Sequence, residues 1–300
     1  MSVKYTIIKA VFRILPVQQM MAKPYEDLLK MFKTADAKPK IPRLENPDFT
    51  AETCVVQSFP VLTVSHKKKA DSLCIYVAGG GMLKYPKPSQ AKSMLSLAKE
   101  TNRNVWLPYF PLAPQYDLFD ALDMLYETYK KALEYYPAEN IAFMGGSSGA
   151  AMVLWLMTLI NKRGEGLLMP GKIALSSPGS ALTTEERIRA EELNKSDLIM
   201  STTALDHIFS GMAGGKVLPE EFSYAQRGIY DGVKDVYLSY GGDEVFSAAA
   251  DSTAERLRSY GADVTLVVAE GLYHTYAAMP LVKEAEPGYQ RMMGYLRVKP

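Results

Sequence analysis

Serine, carboxylate and histidine occur in this chain at positions where turns would expose them. The pentapeptide Gly145-Gly146-Ser147-Ser148-Gly149 lies between the apolar runs Ile141–Met144 and Ala151–Leu156. That pattern reads as strand, tight turn and helix, with Ser147 at the apex of G-x-S-x-G. A serine hydroxyl is a weak nucleophile until the backbone lifts it into the open and a base takes its proton. Glycines at 145 and 149 allow a strand and a helix to approach closely around a strained serine. The helix N-terminus behind it offers N–H groups and a positive dipole end where an oxyanion would develop. Gly and Ser are also common turn residues, so the motif gains weight only from its company.

The company is a base and an acid, each on a loop after a later apolar run. Val236–Tyr240 leads into Gly241-Gly242-Asp243-Glu244, and Val264–Val268 leads into Gly271-Leu272-Tyr273-His274. The order serine, carboxylate, histidine along the chain suits nucleophilic catalysis on a parallel sheet, with all three loops at the carboxyl ends of strands. His274 is then the general base. Asp243 or Glu244 would fix its tautomer and stabilise the imidazolium formed during attack. Tyr76-Val77-Ala78-Gly79-Gly80-Gly81-Met82 adds a strand running into three glycines. Their N–H groups, with that of Ser148, are the donors an oxyanion hole needs. A nucleotide loop is the competing reading, but neither G-x-G-x-x-G nor G-x-x-x-x-G-K-[ST] is present.

The rest of the sequence must hold these loops together. A length of 300 residues suits one large α/β domain with an insertion. Short apolar runs (residues 73–78, 105–109, 141–144, 173–175, 236–240 and 264–268) alternate with helical patterns near 89–100, 119–136, 150–161, 248–260 and 284–296. Such alternation predicts a mostly parallel sheet flanked by helices. Cys54–Val56 and Val61–Val64 read as two strands of a meander, and Lys67-Lys68-Lys69 as a solvated hairpin turn. Residues 1 to about 50 read as helices plus a Pro-rich connector. The interval from about 177 to 231 breaks the rhythm with two more amphipathic helices, Glu185–Leu193 and Leu205–Met212. Residues 51–300 are therefore expected to form the catalytic domain. An insertion at about 180–230 would build a helical cap with the N-terminal helices.

Composition narrows the function classes. A net charge of +1 gives no reason to expect nucleic acid. The two cysteines, Cys54 and Cys74, do not suggest a disulfide framework, and Cys74 sits in a strand-like run as a buried thiol. The three histidines, His66, His207 and His274, are far apart, with no metal-ligand spacing. No metal and no cofactor are expected. The first 21 residues are broken by Lys4, Lys9 and Arg13 and are not read as a signal peptide; no segment is apolar enough to span a bilayer. A cytoplasmic location follows as an expectation. Ile7, Ile8, Val11, Phe12, Ile14 and Leu15 fall at helical spacing and are expected to pack on the protein's own body. The sharper alternative is an interfacial helix touching lipid.

Together these residues resemble the hormone-sensitive-lipase-like family of α/β-hydrolase carboxylesterases, from about residue 70 to the end. The family's His-Gly-Gly-Gly is similar to Ala78-Gly79-Gly80-Gly81, its Tyr-x-Leu-Ala-Pro-Glu to Tyr109–Gln115, and its Gly-Asp-Ser-Ala-Gly-Gly to Gly145–Ala150. Ser177-Pro178 and Gly241–Phe246 match further family segments. The resemblance implies an α/β-hydrolase fold and a serine carboxylesterase. Ser147 would be the nucleophile, His274 the base and Glu244 the acid, with Asp243 as the alternative. Ala78 departs from the family's histidine, which braces the oxyanion loop. Ser148 departs from its alanine, with a hydroxyl that could compete for His274. The partner implied is a small acyl ester; the chain could also form a homodimer. A deacetylase of acetylated sugars or an amide hydrolase would use the same triad, and an inactive binding protein the same fold.

Overall fold

A computed structural model describes residues 2–68 and 70–298, leaving aside the side chains of Val3, Lys4, Ile8 and Arg13. One sheet is built from β1 (Phe49–Val56), β2 (Phe59–His66), β3 (Leu73–Val77), β4 (Asn104–Pro108), β5 (Ile141–Gly146), β6 (Lys172–Ser176), β7 (Asp235–Gly241) and β8 (Asp263–Ala269). Across it the order is β1-β2-β4-β3-β5-β6-β7-β8. β2 pairs antiparallel with both neighbours, and every other pair, from β4 to β8, is parallel. Central strands of such a sheet are covered on both faces, so they read as unbroken apolar runs. β5 is buried along its whole length, whereas the edge strand β1 is mostly exposed.

Ten helices surround the sheet among the described residues: α1 (Val3–Ile14), α2 (Val17–Met21), α3 (Tyr25–Phe32), α4 (Pro88–Thr101), α5 (Leu118–Leu133), α6 (Ser148–Arg163), α7 (Thr184–Leu193), α8 (Thr202–Met212), α9 (Ala250–Ser259) and α10 (Glu286–Leu296). One core joins α5, α6 and α9 to the sheet through Leu122, Tyr126, Trp155, Ala254 and Leu257. A second joins α4 and α10 through Met94, Leu97, Met292, Met293 and Leu296. α6 is buried continuously from Ser148 to Ile160, as a helix that is apolar all round must be. α3 packs on α8, and Tyr25 and Leu28 share the first core with Leu205, Ile208 and Met212. None of the described helices is long and apolar enough to cross a membrane.

Two expectations need correction. β4 lies between β2 and β3, so the lysine segment crosses over a strand and is no hairpin turn. Lys67 and Lys68 are exposed there; Lys69 lies outside the described residues. α1 does not bury its apolar stripe: Ile7, Val11, Ile14 and Leu15 are all exposed and Phe12 is half-buried. The side chain of Ile8 is outside the described set. Tyr5 and Lys9 turn inward instead. Tyr5 is buried and donates to the carbonyl of Gly271, and Lys9 pairs with Asp243 at 2.8 Å. The helix is held by its polar contacts and leaves Ile7, Val11 and Ile14 outside.

The strand order sets the site. From β3 the chain goes to β4 on one side, then returns past β3 to place β5 on the other. The loops after β3 and β5 therefore leave the sheet side by side, with Val77 paired to Gly145. That reversal is where an open parallel sheet forms its crevice. The approach is close: a Cβ on Gly149 would lie 2.2 Å from the carbonyl oxygen of Val77. Gly149→Ala is therefore expected to cost about 3 kcal/mol or more, because the atom it meets is backbone that cannot rotate away. Urea unfolding of the variant measures the loss; a change within about 0.5 kcal/mol would contradict the packing described.

Candidate active site

β5 ends in a turn that places Ser147 at φ 56° and ψ −130°, a strained conformation for a residue with a Cβ. It is held from both sides. The Ser147 N–H donates to the carbonyl of Ser176 on β6, and the first turn of α6 closes on the Ser147 carbonyl. The glycine loop after β3 leans on the same turn: a Cβ on Gly79 would meet the carbonyl oxygen of Gly146 at 2.4 Å. Ser147 remains half-exposed, at the floor of a cavity.

His274 follows β8 on a loop and is buried. Its Nε2 lies 2.9 Å from Ser147 Oγ, and its Nδ1 is hydrogen-bonded to Glu244 Oε2. The ring of Phe246 packs edge-on against the imidazole at 4.7 Å between centroids. Glu244 is 1% exposed, and its other oxygen, Oε1, accepts from Ser177 Oγ and from the Gly241 N–H, both at 2.7 Å. Asp243, the alternative acid, is turned away: its carboxylate is on Lys9 at 2.8 Å. The structure thus brings Ser147, His274 and Glu244 together and leaves Asp243 out. His66 and His207 lie elsewhere, on the carbonyls of Ala98 and of Ala22 and Lys23.

Burial alone would depress the His274 pKa, since desolvation penalises imidazolium. The charge of Glu244, its hydrogen bond and the nearby charge of Asp197 outweigh that penalty, so the net shift is upward from 6.5. Asp197 is itself buried and is pushed up to about 6 by desolvation, although it accepts from the N–H groups of Met200, Ile199 and Val245.

Several residues that position this set left no mark in the sequence reading. Ser177, quoted only as half of a Ser-Pro pair, sits at φ 53° and bridges two loops: it donates to Glu244 and accepts from the Thr275 N–H at 2.8 Å. Asp197, in the insertion, ties the cap to Val245 beside the acid. Tyr25 Oη donates to the Gly81 carbonyl at 2.7 Å and Thr34 Oγ1 to the Leu83 carbonyl at 2.6 Å, so the N-terminal segment braces the glycine loop. The Ser148 hydroxyl does not compete for His274. It accepts from the N–H groups of Gly80 and Gly81 at 3.0 and 2.8 Å.

A cavity of about 120 Å³ opens onto Ser147 and His274. Its walls are mainly apolar: Leu205, Ile208, Phe209 and Met212 from α8, Phe246, and Met21 and Phe32 from the N-terminal helices. Lys84 also lines this wall, with its ammonium 5.0 Å from the centre of the Phe32 ring.

Residues 74–278 match the model of a family described by the alpha/beta hydrolase fold. An esterase of Acinetobacter venetianus is 28% identical over 144 residues, which are 47% of this chain and 46% of that protein; the chain spans about half the length of the curated relative it matches. Among solved structures, a crystal of EstE5 soaked in p-nitrophenyl butyrate superposes with a TM-score of 0.80 at 18% identity, covering 99% of this chain and 98% of that one. A putative esterase from Staphylococcus aureus gives 0.78 at 18% identity over 92% and 94%. An esterase of the bacterial hormone-sensitive lipase family gives 0.74 at 19% identity over 91% and 96%.

The electrostatics make a direct prediction. In the intact chain His274 titrates above 6.5. In Glu244→Gln the raising charge is gone while burial remains, so His274 should titrate below that value. Side-chain ¹⁵N NMR across pH, with the His274 resonance assigned by its loss in His274→Gln, measures both. An unchanged or higher value in Glu244→Gln would contradict the arrangement.

Proposed function

The chain belongs to the alpha/beta hydrolase fold family, and on that premise we propose that it is a serine carboxylesterase acting on short acyl esters. The observation that carries this reading is the hydrogen-bonded line from Ser147 Oγ to His274 Nε2 to Glu244, set at the floor of an apolar cavity. In this reading Ser147 Oγ attacks the ester carbonyl carbon while His274 Nε2 takes its proton. The tetrahedral oxyanion collapses, the C–O bond to the alcohol breaks, and His274 returns the proton to the departing oxygen. Water then attacks the acyl-enzyme with His274 again as base, releasing the acid and restoring Ser147. Glu244 keeps the imidazole in the tautomer with Nδ1–H and stabilises its charged form. The oxyanion is held by the Ser148 N–H, in the first turn of α6 where the helix supplies no acceptor, beside the glycine loop, whose Gly80 and Gly81 N–H groups rest on Ser148 Oγ.

The cavity argues for a small acyl group. Apolar space of this order takes a group about the size of benzene. Acetyl to butyryl groups are the acyl groups that such a volume suits best. The aliphatic and aromatic part of the wall, Leu205, Ile208, Phe209, Met212 and Phe246, offers a polar acyl group no hydrogen-bond partner, and desolvating such a group would cost about 1–3 kcal/mol.

Two measurements test the reading. A fluorophosphonate probe is expected to label the intact protein and fail to label Ser147→Ala, whose hydrolysis of p-nitrophenyl butyrate should fall by at least about 10⁴-fold. A folded intact protein that neither labels nor hydrolyses short esters would be a binding protein on a hydrolase fold. The pH profile adds a sign. Imidazolium cannot accept the Ser147 proton, so kcat/KM should rise with pH and reach half its plateau above 6.5, because His274 is shifted upward. Along a series from acetate to decanoate, kcat/KM should peak by butyrate or hexanoate and then decline.

A further inference from the structure

Gly80 and Gly81 aim their N–H groups at one atom, Ser148 Oγ, at 3.0 and 2.8 Å. Ser148 lines the same cavity as Ser147 and His274 and is only 9% exposed. A hydroxyl has two lone pairs and one proton. Here both lone pairs are engaged by N–H donors, which leaves the proton as the atom's remaining valence for hydrogen bonding. Among the described residues that O–H donates to no protein group, and His274 Nε2 is already taken by Ser147. The glycine loop is also held from behind, by Tyr25 on the Gly81 carbonyl and Thr34 on the Leu83 carbonyl. For the two glycine N–H groups to touch an oxyanion directly, Ser148 Oγ would have to leave the position it occupies between them.

We propose that the Ser148 side chain is itself a catalytic oxyanion donor, through which Gly80 and Gly81 act. This rests on the esterase reading of the same site. As Ser147 attacks, negative charge collects on the former carbonyl oxygen, and the Ser148 O–H donates to it. The two N–H groups behind Ser148 polarise that O–H, since a hydroxyl that accepts strongly also donates strongly. No proton is transferred; the hydrogen bond tightens as charge develops and relaxes when the intermediate collapses. The Ser148 N–H remains a second donor to the same oxygen. Ser148 thereby converts two backbone dipoles into one directed donor, and the interaction is strongest in the transition state.

Ser148→Ala frees both glycine N–H groups and removes the hydroxyl, so it separates relay from obstruction. On p-nitrophenyl butyrate the relay predicts a loss of about 10²–10³ in kcat, the usual effect of deleting one oxyanion donor, with KM changed by less than about threefold. Activity equal to or above that of the intact chain would overturn the proposal, because the hydroxyl would then be a plug or a bystander. If Ser148→Ala folds poorly, the intact protein decides alone. After reaction with a fluorophosphonate, its crystal structure should show Ser148 Oγ still on Gly80 and Gly81 and about 2.5–3.0 Å from the phosphonyl oxygen. Both glycine N–H groups on that oxygen, with Ser148 in another rotamer, would overturn it, as would a phosphonyl oxygen out of reach of Ser148. Failure of the intact protein to label or hydrolyse would instead sink the esterase reading on which the proposal rests.

Discussion

The near-contact of Gly149 with the carbonyl of Val77 is the constraint on which the rest of the site depends. At this point the N-terminus of α6 and the end of β3 are so close that one methyl group would part them. The contact exists because the chain reverses its lateral direction between β4 and β5, so that two loops widely separated in sequence leave adjacent strands. It also fixes the strain at Ser147. The serine is held at positive φ by its hydrogen bond to β6, by the α6 first turn and by the glycine loop leaning on Gly146. Strain of about 1–3 kcal/mol persists only where the surroundings over-determine it, and here three elements do so.

The choice between two adjacent carboxylates follows from what each can reach. Glu244 faces inward, where two donors satisfy one of its oxygens and His274 the other. A buried carboxylate with one partner would be costly; here both oxygens are engaged, and the Glu244 charge lifts the imidazole pKa. Asp243 reaches the opposite way and meets Lys9, whose helix also grips Gly271 through Tyr5. The ion pair is partly exposed and worth little by itself. Its value is geometric, since it ties the acid loop to α1 while Tyr5 ties down the start of the histidine loop.

Much of this was legible in the chain because it is written in local patterns. The strand and helix runs from Leu73 to Leu296, the loops that carry Ser147, the Asp243-Glu244 pair and His274, and the paired glycine turns are each built from motifs that leave a trace within a dozen residues. What was not legible depends on contacts far apart in sequence. Nothing near Tyr25 or Thr34 marks them as braces for residues 81 and 83, and nothing near Asp197 marks it as the partner of Val245. Ser148 was visible as a departure from a family pattern. The direction of its hydroxyl follows from the approach of a loop almost seventy residues away. α1 misleads for a related reason. Its apolar spacing is real, but which face turns inward was decided by where Gly271 and Asp243 offered polar partners.

The N-terminal segment and the stretch around α8 therefore do more than line the cavity. Met21 and Phe32 form cavity wall, while Tyr25 and Thr34, on either side of Phe32, hold the glycine loop. Gln18 donates to the carbonyls of Asn194, Asp197 and Met200 and so joins this segment to the stretch of cap that braces Val245. Each such bond contributes only about 0.5–1.5 kcal/mol net. Those of Tyr25 and Thr34 end on the glycine loop, and those of Gln18 reach the loop of Glu244 through Asp197. The N-terminal part of the cavity wall, Met21 and Phe32, and the side chains that brace the glycine loop, Tyr25 and Thr34, therefore belong to the same short stretch of chain. A change in one of these walls should alter the turnover rate as well as substrate binding, because the wall cannot move without the donors moving with it.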